Sequence, residues 1–230
     1  DRASPAKLAA AWTAALDEVA VKMNQTAEDG KEKLGEWPIA MTLAMLKTVQ
    51  AMQFAEALIP NRVFEAKALA VDVVSRYRRS FRPAHLDAWK RWLAKSFAAN
   101  WATTDALCGS LIGPLLVERP ALAGGMRAWA SDRNLWLRRA SAVSLIPSIR
   151  HGRQLDLGYQ IAARLHADNE DLIEKAVGWM LREAGKIDPN RLEAYLRTNG
   201  PRIPRTTVRY AIERFPPGRR KALLATTRTG

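Results

Sequence analysis

Apolar positions recur along this chain with a helical period, and nowhere do they alternate as in a half-buried strand. In Phe64-Glu65-Ala66-Lys67-Ala68-Leu69-Ala70-Val71-Asp72-Val73-Val74 they fall at i, i+3, i+4 and i+7, which gathers them on one face of a helix. The same pattern runs through Trp136–Ile146 and again from Leu172 to Ala184. No run of alternating β-branched residues is bounded by turn dipeptides, so the chain reads as all-α.

Breaks interrupt this pattern at Asn61, Pro83, Asn100, Glu118-Arg119-Pro120, Ser131-Asp132, Gly152, Asp168-Asn169, Asp188-Pro189 and Gly200-Pro201. Several place Asp, Asn or Ser before an apolar run, with Pro near the first turn, which is helix-start chemistry. The expectation is about a dozen helices of roughly 10–18 residues joined by tight loops. One helix of each pair begins near Asn61, Asn100, Arg133, Glu170 and Pro204, a period of roughly 32–40 residues that suits helix-pair solenoids. A lone helix pair cannot bury its apolar stripe, so neighbours stack. We therefore expect an all-α superhelical solenoid forming one domain over residues 1–230, with a concave surface lined by equivalent helices.

Composition narrows the classes. Hydrophobic residues make up 48% of the chain, enough for a core, and no apolar run approaches the ~20 residues of a membrane span. The opening Asp1-Arg2-Ala3-Ser4-Pro5 carries no signal-peptide pattern. The single cysteine, Cys108, excludes an internal disulfide and fits a reducing compartment; its neighbours Leu107, Leu111 and Ile112 mark it as a buried small hydrophobe. His85, His151 and His166 are scattered without metal spacing, and no Gly-rich phosphate loop or Gly-x-Ser-x-Gly is present, so neither metal nor cofactor is called for. Lys and Arg number 36 against 23 Asp and Glu, a net charge of +13. Residues 131–230 hold 19 of the basic and 10 of the acidic side chains. That skew favours a polyanion, because basic groups meeting phosphates release condensed counterions, although charge alone leaves open a merely soluble basic protein.

At Asn100-Trp-Ala-Thr-Thr-Asp105 the sequence resembles the bacterial DNA alkylation repair glycosylases of the AlkD type, which are built from HEAT-like helical repeats. The likeness runs through Arg62–Ala70, Trp101–Asp105, Asn134–Val143, Lys175-Ala-Val-Gly-Trp179-Met-Leu-Arg182-Glu183 and Pro204-Arg205-Thr-Thr-Val-Arg-Tyr210-Ala-Ile. It covers roughly residues 55–220, leaving 1–54 as divergent N-terminal helices. The resemblance implies that Trp101 and Trp179 are aromatic walls, that Asp105 is the catalytic carboxylate, and that Arg139 contacts the DNA backbone beside the lesion. It also implies double-stranded DNA carrying alkylated purines as partner, no deep base flipping, and a bacterial cytoplasmic, nucleoid-associated protein. Solenoids of this size usually act as monomers. One departure stands out: the family's aromatic-rich N-terminal segment corresponds here to Lys22–Gly35, which contains no aromatic residue.

The residues themselves support part of this. Trp101 and Asp105 are i, i+4 and share a helix face, and a carboxylate beside an indole needs a cation, either an arginine or a transient substrate cation. An N3- or N7-alkylated purine already carries a positive charge and leaves as a neutral base. The site then needs negative charge for the developing sugar cation and a placed water, both within reach of an aspartate. Adjacent Arg138 and Arg139 point about 100° apart, so one of them suits a structural ion pair. Lys175 and Arg182 flank Trp179 at i−4 and i+3, and Arg205 and Arg209 are i, i+4 on the closing helix; all four are candidate phosphate contacts, with solvated surface as the alternative. Lys175 as a Schiff-base nucleophile is disfavoured because carboxylate chemistry suffices. Two other functions stay open: a non-catalytic DNA-damage-binding relative, and a HEAT-like protein-interaction scaffold.

Overall fold

The structure is a computed structural model that describes residues 48–227, and every regular element among those residues is helical. The segment Lys22–Gly35, and most of the divergent stretch before about residue 55, lie outside the described residues. The chain divides after Ser80 into two compact units. In the first, α1 (Thr48–Leu58) packs on α2 (Phe64–Ser75). Their buried faces carry Ala51, Phe54, Ala55 and Leu58 on α1 and Ala66, Ala70, Val73 and Val74 on α2, the period-3.6 stripe expected of Phe64–Val74.

The second unit holds α3 (Pro83–Ala94), α4 (Trp101–Leu107), α5 (Gly113–Glu118), α6 (Met126–Trp129), α7 (Leu135–Val143), α8 (Ile146–Arg150), α9 (Leu155–Leu165), α10 (Asp171–Ile187), α11 (Pro189–Asn199), α12 (Arg205–Ala211) and α13 (Pro217–Thr226). The caps are where the polar breaks fell. Asn100 Oδ1 accepts from the Thr103 amide at 2.8 Å, Asn134 Oδ1 from those of Trp136 and Leu137 at 2.8 and 3.2 Å, and Asp188 Oδ1 from that of Arg191 at 2.9 Å. Pro83 and Pro189 each open their helix, where no amide is needed. Gly152, at φ 70°, makes the left-handed turn between α8 and α9.

Two elements depart from the sequence pattern. The helix expected through Ile146 breaks after Val143, because Pro147 has no amide to bond back one turn and its ring would strike that turn. A π-helical turn at Cys108–Ile112 joins α4 to α5, adding one residue to the helix and turning the face that follows.

The repeat is written into the hydrogen bonds. Arg127 donates to Gln160 and Arg150 to Glu183, each 33 residues on; Arg139 reaches back 34 residues to Asp105; Thr207 donates to the Glu174 carbonyl, 33 residues back; and Arg191 pairs with Asp156, 35 residues back. Each helix pair is thus tied to the next by polar bonds one repeat apart, which is the nearest-neighbour wiring of a solenoid. Within this unit α4, α7, α10 and α12 lie side by side in that order. Their first residues are Trp101, Leu135, Asp171 and Arg205, close to the starts expected from the breaks.

Candidate active site

Because these four helices start in register, position five of each falls at an equivalent place in the row. Those positions are Asp105, Arg139, Lys175 and Arg209: one carboxylate followed by three cations. Their side chains meet different fates.

Asp105 and Arg139 form a bidentate pair. Arg139 Nε donates to Oδ1 at 2.9 Å and Nη2 to Oδ2 at 2.8 Å, the parallel geometry that a guanidinium makes best with a carboxylate. Arg139 Nη1 donates to the carbonyl of Leu172 in the first turn of α10. One arginine therefore bridges α4, its own α7 and α10. Its side chain is only 6% exposed, whereas that of Asp105 is 17% exposed. The carboxylate keeps an edge to solvent, and the cation behind it does not.

Trp101 opens α4 one turn before Asp105 and is 59% exposed, an unusual position for an indole. The Asn100 cap holds this first turn. Thr104 Oγ1 adds a buried bond to the carbonyl of Ala98 at 2.8 Å. Trp179 is half-buried on α10. It shares a stripe with Leu172 and Lys175 at i, i+3 and i+7, and stands about 10 Å along the helix axis from Leu172. Cys108, in the π turn, is fully buried, and burial pushes its thiol up to about 12, which makes it inert as a nucleophile.

The expected phosphate contacts divide. Arg139 was expected at the DNA backbone, but all three of its guanidinium nitrogens are engaged inside the protein. Arg138, its neighbour, is in an ion pair as well. Its Nε donates to Asp168 at 2.6 Å, and its Nη1 to the carbonyls of Asp132 and Arg133 at 3.1 and 2.8 Å, pinning two loops. Arg182 is held by Glu213 and lies 3.7 Å from Glu183. Glu183 is a buried hub that also receives Arg150 and Lys186. Burial pushes its carboxyl upward, but hydrogen bonds from Lys186 and Arg150 outweigh that and leave it below the usual range. Lys175 pairs with Asp171 at 2.6 Å, and this hydrogen bond raises its ammonium above the ordinary lysine range. Arg205 Nη1 donates to the Leu224 carbonyl at 2.7 Å. Arg209 is exposed, with no protein partner among the described residues.

Two contacts in this region are not encoded by any motif. Tyr210, 37% exposed, follows Arg209 and lies over Gly178, the neighbour of Trp179. A Cβ on Gly178 would fall 2.5 Å from that of Tyr210, so the glycine is what lets α10 and α12 close together. Asp168 was visible as a loop residue but not as the partner of Arg138. The common offset of 105, 139, 175 and 209 from their helix starts was legible in the sequence once the repeat was aligned.

The family model of the DNA alkylation repair enzyme matches residues 38–215. The chain belongs to the DNA alkylation repair enzyme family. Its place in DNA repair, with DNA as the partner, follows from that membership. Among solved structures, the chain is similar to one described as a predicted DNA alkylation repair enzyme from Enterococcus faecalis. The TM-score is 0.70 and the identity 17%, over 79% of this chain and 83% of that one. At that identity the likeness is one of fold, and it extends the all-α solenoid to a repair-family neighbour. No curated protein matches the chain. The family match spans every residue of the row from Asp105 to Arg209. Among the described residues no helix is long and apolar enough to cross a membrane.

Proposed function

We infer that this member of the repair family is a monofunctional DNA glycosylase that hydrolyses the N-glycosidic bond of cationic N3- or N7-alkylated purines in double-stranded DNA. The observation that carries the reading is the pairing of an exposed indole, Trp101, with a carboxylate one turn away whose orientation is locked from behind by a buried arginine.

The chemistry is simple in outline. The C1′–N bond breaks and its electron pair goes to the base, which neutralises the positive charge that alkylation had placed there. Positive charge grows on the deoxyribose, and the fixed Asp105 carboxylate favours it. A water oxygen, oriented at the solvent-facing edge of Asp105, bonds to C1′ and gives up its proton to that carboxylate or to bulk water. No general acid is needed, since the leaving base departs neutral. Trp101 and Trp179 offer electron-rich faces to the sugar, roughly 0.5–2 kcal/mol each. Arg139 is a positioning residue in this scheme: it aims Asp105 and does not touch substrate. Exposed cations, Lys175 and Arg209 among them, take the phosphates. The hydrogen bond to Asp171 raises the Lys175 ammonium above the ordinary lysine range, the opposite of what a Schiff-base nucleophile needs, which favours hydrolysis over lyase chemistry.

With the sugar held against the helix row and no base pocket required, bulky adducts enter the substrate range. The HEAT-like character of the repeats and a monomeric state belong to the same reading. The test is release of free base from duplex DNA carrying N7-methylguanine or N3-methyladenine, with wild type and Asp105→Asn side by side. We expect release by wild type and a loss of about 10²–10³-fold in the variant. A wild type that binds such DNA and releases nothing overturns the glycosylase reading in favour of a lesion-binding relative.

A further inference from the structure

Beyond the paired carboxylate, α12 and α13 enclose an open cleft of about 530 Å³ lined by Arg205, Arg209, Tyr210, Ile212, Glu213, Arg220 and Leu224. Three guanidinium groups border one cavity, and the carboxylate in its lining, Glu213, is already engaged by Arg182. Like charges gathered in this way repel, and the one carboxylate among them is shared with Arg182 outside the lining. Arg205 is pre-set: its Nη1 bonds the carbonyl of Leu224 and, at 3.4 Å, Thr227 Oγ1, at the C-terminal end of α13. Arg209 and Arg220 are both exposed, and neither has a side-chain hydrogen bond or ion pair among the described residues. Tyr210 joins the cleft to Gly178 and so to the Trp179 turn of α10.

We propose that this cleft is a second DNA-contact site, in which Arg209 and Arg220 grip a backbone phosphate of the DNA strand at a distance from the lesion. The proposal rests on the reading of the protein as a DNA repair enzyme and specifies where the strand leaves the row. Arg209 is the repeat counterpart of Arg139 two inner helices along, and neighbouring helices pack 8–10 Å apart. The cleft therefore lies about 16–20 Å from the Arg139 helix, which spans about five nucleotides at roughly 3.4 Å of rise per strand step. Two free guanidinium groups bordering one open cavity suit the paired oxygens of a phosphodiester. The aromatic face of Tyr210 is available to the adjoining sugar.

The experiment compares the full chain with Arg209→Gln/Arg220→Gln, binding a fluorescent duplex that carries N7-methylguanine. Both residues are exposed and unbonded, so the variant folds, and an unchanged Tm checks this. Plotted as log affinity against log salt, the variant is expected to show a slope shallower by about 2, one unit for each lost contact. Neutral methylphosphonates placed singly along each strand locate the phosphate. In wild type one position about five nucleotides from the lesion weakens binding, and in the variant that same substitution has no effect. An unchanged slope, a flat methylphosphonate scan, or the absence of salt-dependent DNA binding by wild type overturns the proposal. Inorganic phosphate that binds wild type but not the variant, together with a flat scan, makes the cleft a free-phosphate site and also overturns it. If wild type shows the expected slope and scan but releases no base, the glycosylase reading falls and the cleft stands.

Discussion

Arg139 grasps Asp105 from behind, Nε to Oδ1 at 2.9 Å and Nη2 to Oδ2 at 2.8 Å, and itself lies almost wholly out of solvent. A pair of this kind is poor evidence of net stability, because both charges have been taken out of water. Its value lies in aiming the carboxylate.

Removing either partner leaves the other stranded. Arg139→Ala should cost about 3–5 kcal/mol of folding stability, since it leaves a largely covered carboxylate without its cation. Arg139→Lys keeps the charge but loses the two-point grip, so it should fold better than the alanine variant and still release base slowly. Urea unfolding of the three proteins, with base release on each, checks this; an alanine variant as stable as wild type would mean the pair is incidental.

Trp101 gives the opposite signature. At 59% exposure it contributes little to the core, so Trp101→Ala should change stability by less than about 0.5 kcal/mol. Base release should nevertheless fall by roughly 2–30-fold, the rate equivalent of one lost cation–π contact. Loss of stability without loss of rate would make the indole a packing residue.

Gly178→Ala tests how tightly α10 and α12 close. The added Cβ would lie 2.5 Å from Tyr210 Cβ and 2.9 Å from the Thr207 carbonyl oxygen, neither of which can yield without shifting α12. The expected cost is about 1–3 kcal/mol, read as a lower Tm. Adding Tyr210→Ala keeps the Cβ at position 210 that makes the close contact and should restore little.

Stability should also weaken in mild acid. His166 is half-buried at the end of α9, its Nε2 bonded to Tyr195 Oη of α11 at 2.6 Å and its Nδ1 unpartnered, and the partial burial pulls its pKa from 6.5 down to about 4. A lowered histidine pKa means that the unfolded chain takes up the proton first. The stabilising contribution is complete above about pH 6.5 and disappears as pH falls toward 4, by about 3 kcal/mol at most. Unfolding of wild type and His166→Gln at pH 7.5 and 4.5 should show the steeper loss in wild type. Equal losses would place the acid sensitivity elsewhere, with Glu183 the next group to examine.

Much of this architecture was legible from residue order. The stripe in Phe64–Val74, the Asn100, Asn134 and Asp188 caps and the proline starts of α3 and α11 are local, encoded within a turn or two of chain. The break before Pro147 was legible too, though the apolar pattern running on to Ile146 masked it. The pairing of Arg138 with Asp168 was not, since the partner lies 30 residues away and many acidic residues could serve.

The row of Asp105, Arg139, Lys175 and Arg209 shows where the division falls. Helical periodicity and the recurring starts put all four at one offset in successive repeats, and the linear order of residues suffices for that. Their roles depend on neighbours in space. Arg139 has a helix on either side, with the Asp105 carboxylate on one and the Leu172 carbonyl on the other, so its guanidinium turns inward. Lys175 finds Asp171 one turn back on its own helix. Arg209, on α12, lines the open cleft beside α13, where the nearby acid Glu213 is taken by Arg182, and stays exposed. Chain order sets which face a side chain lies on. Which partner waits there is decided only when the repeats stack, because desolvation penalises any charge that the stacking leaves unpaired.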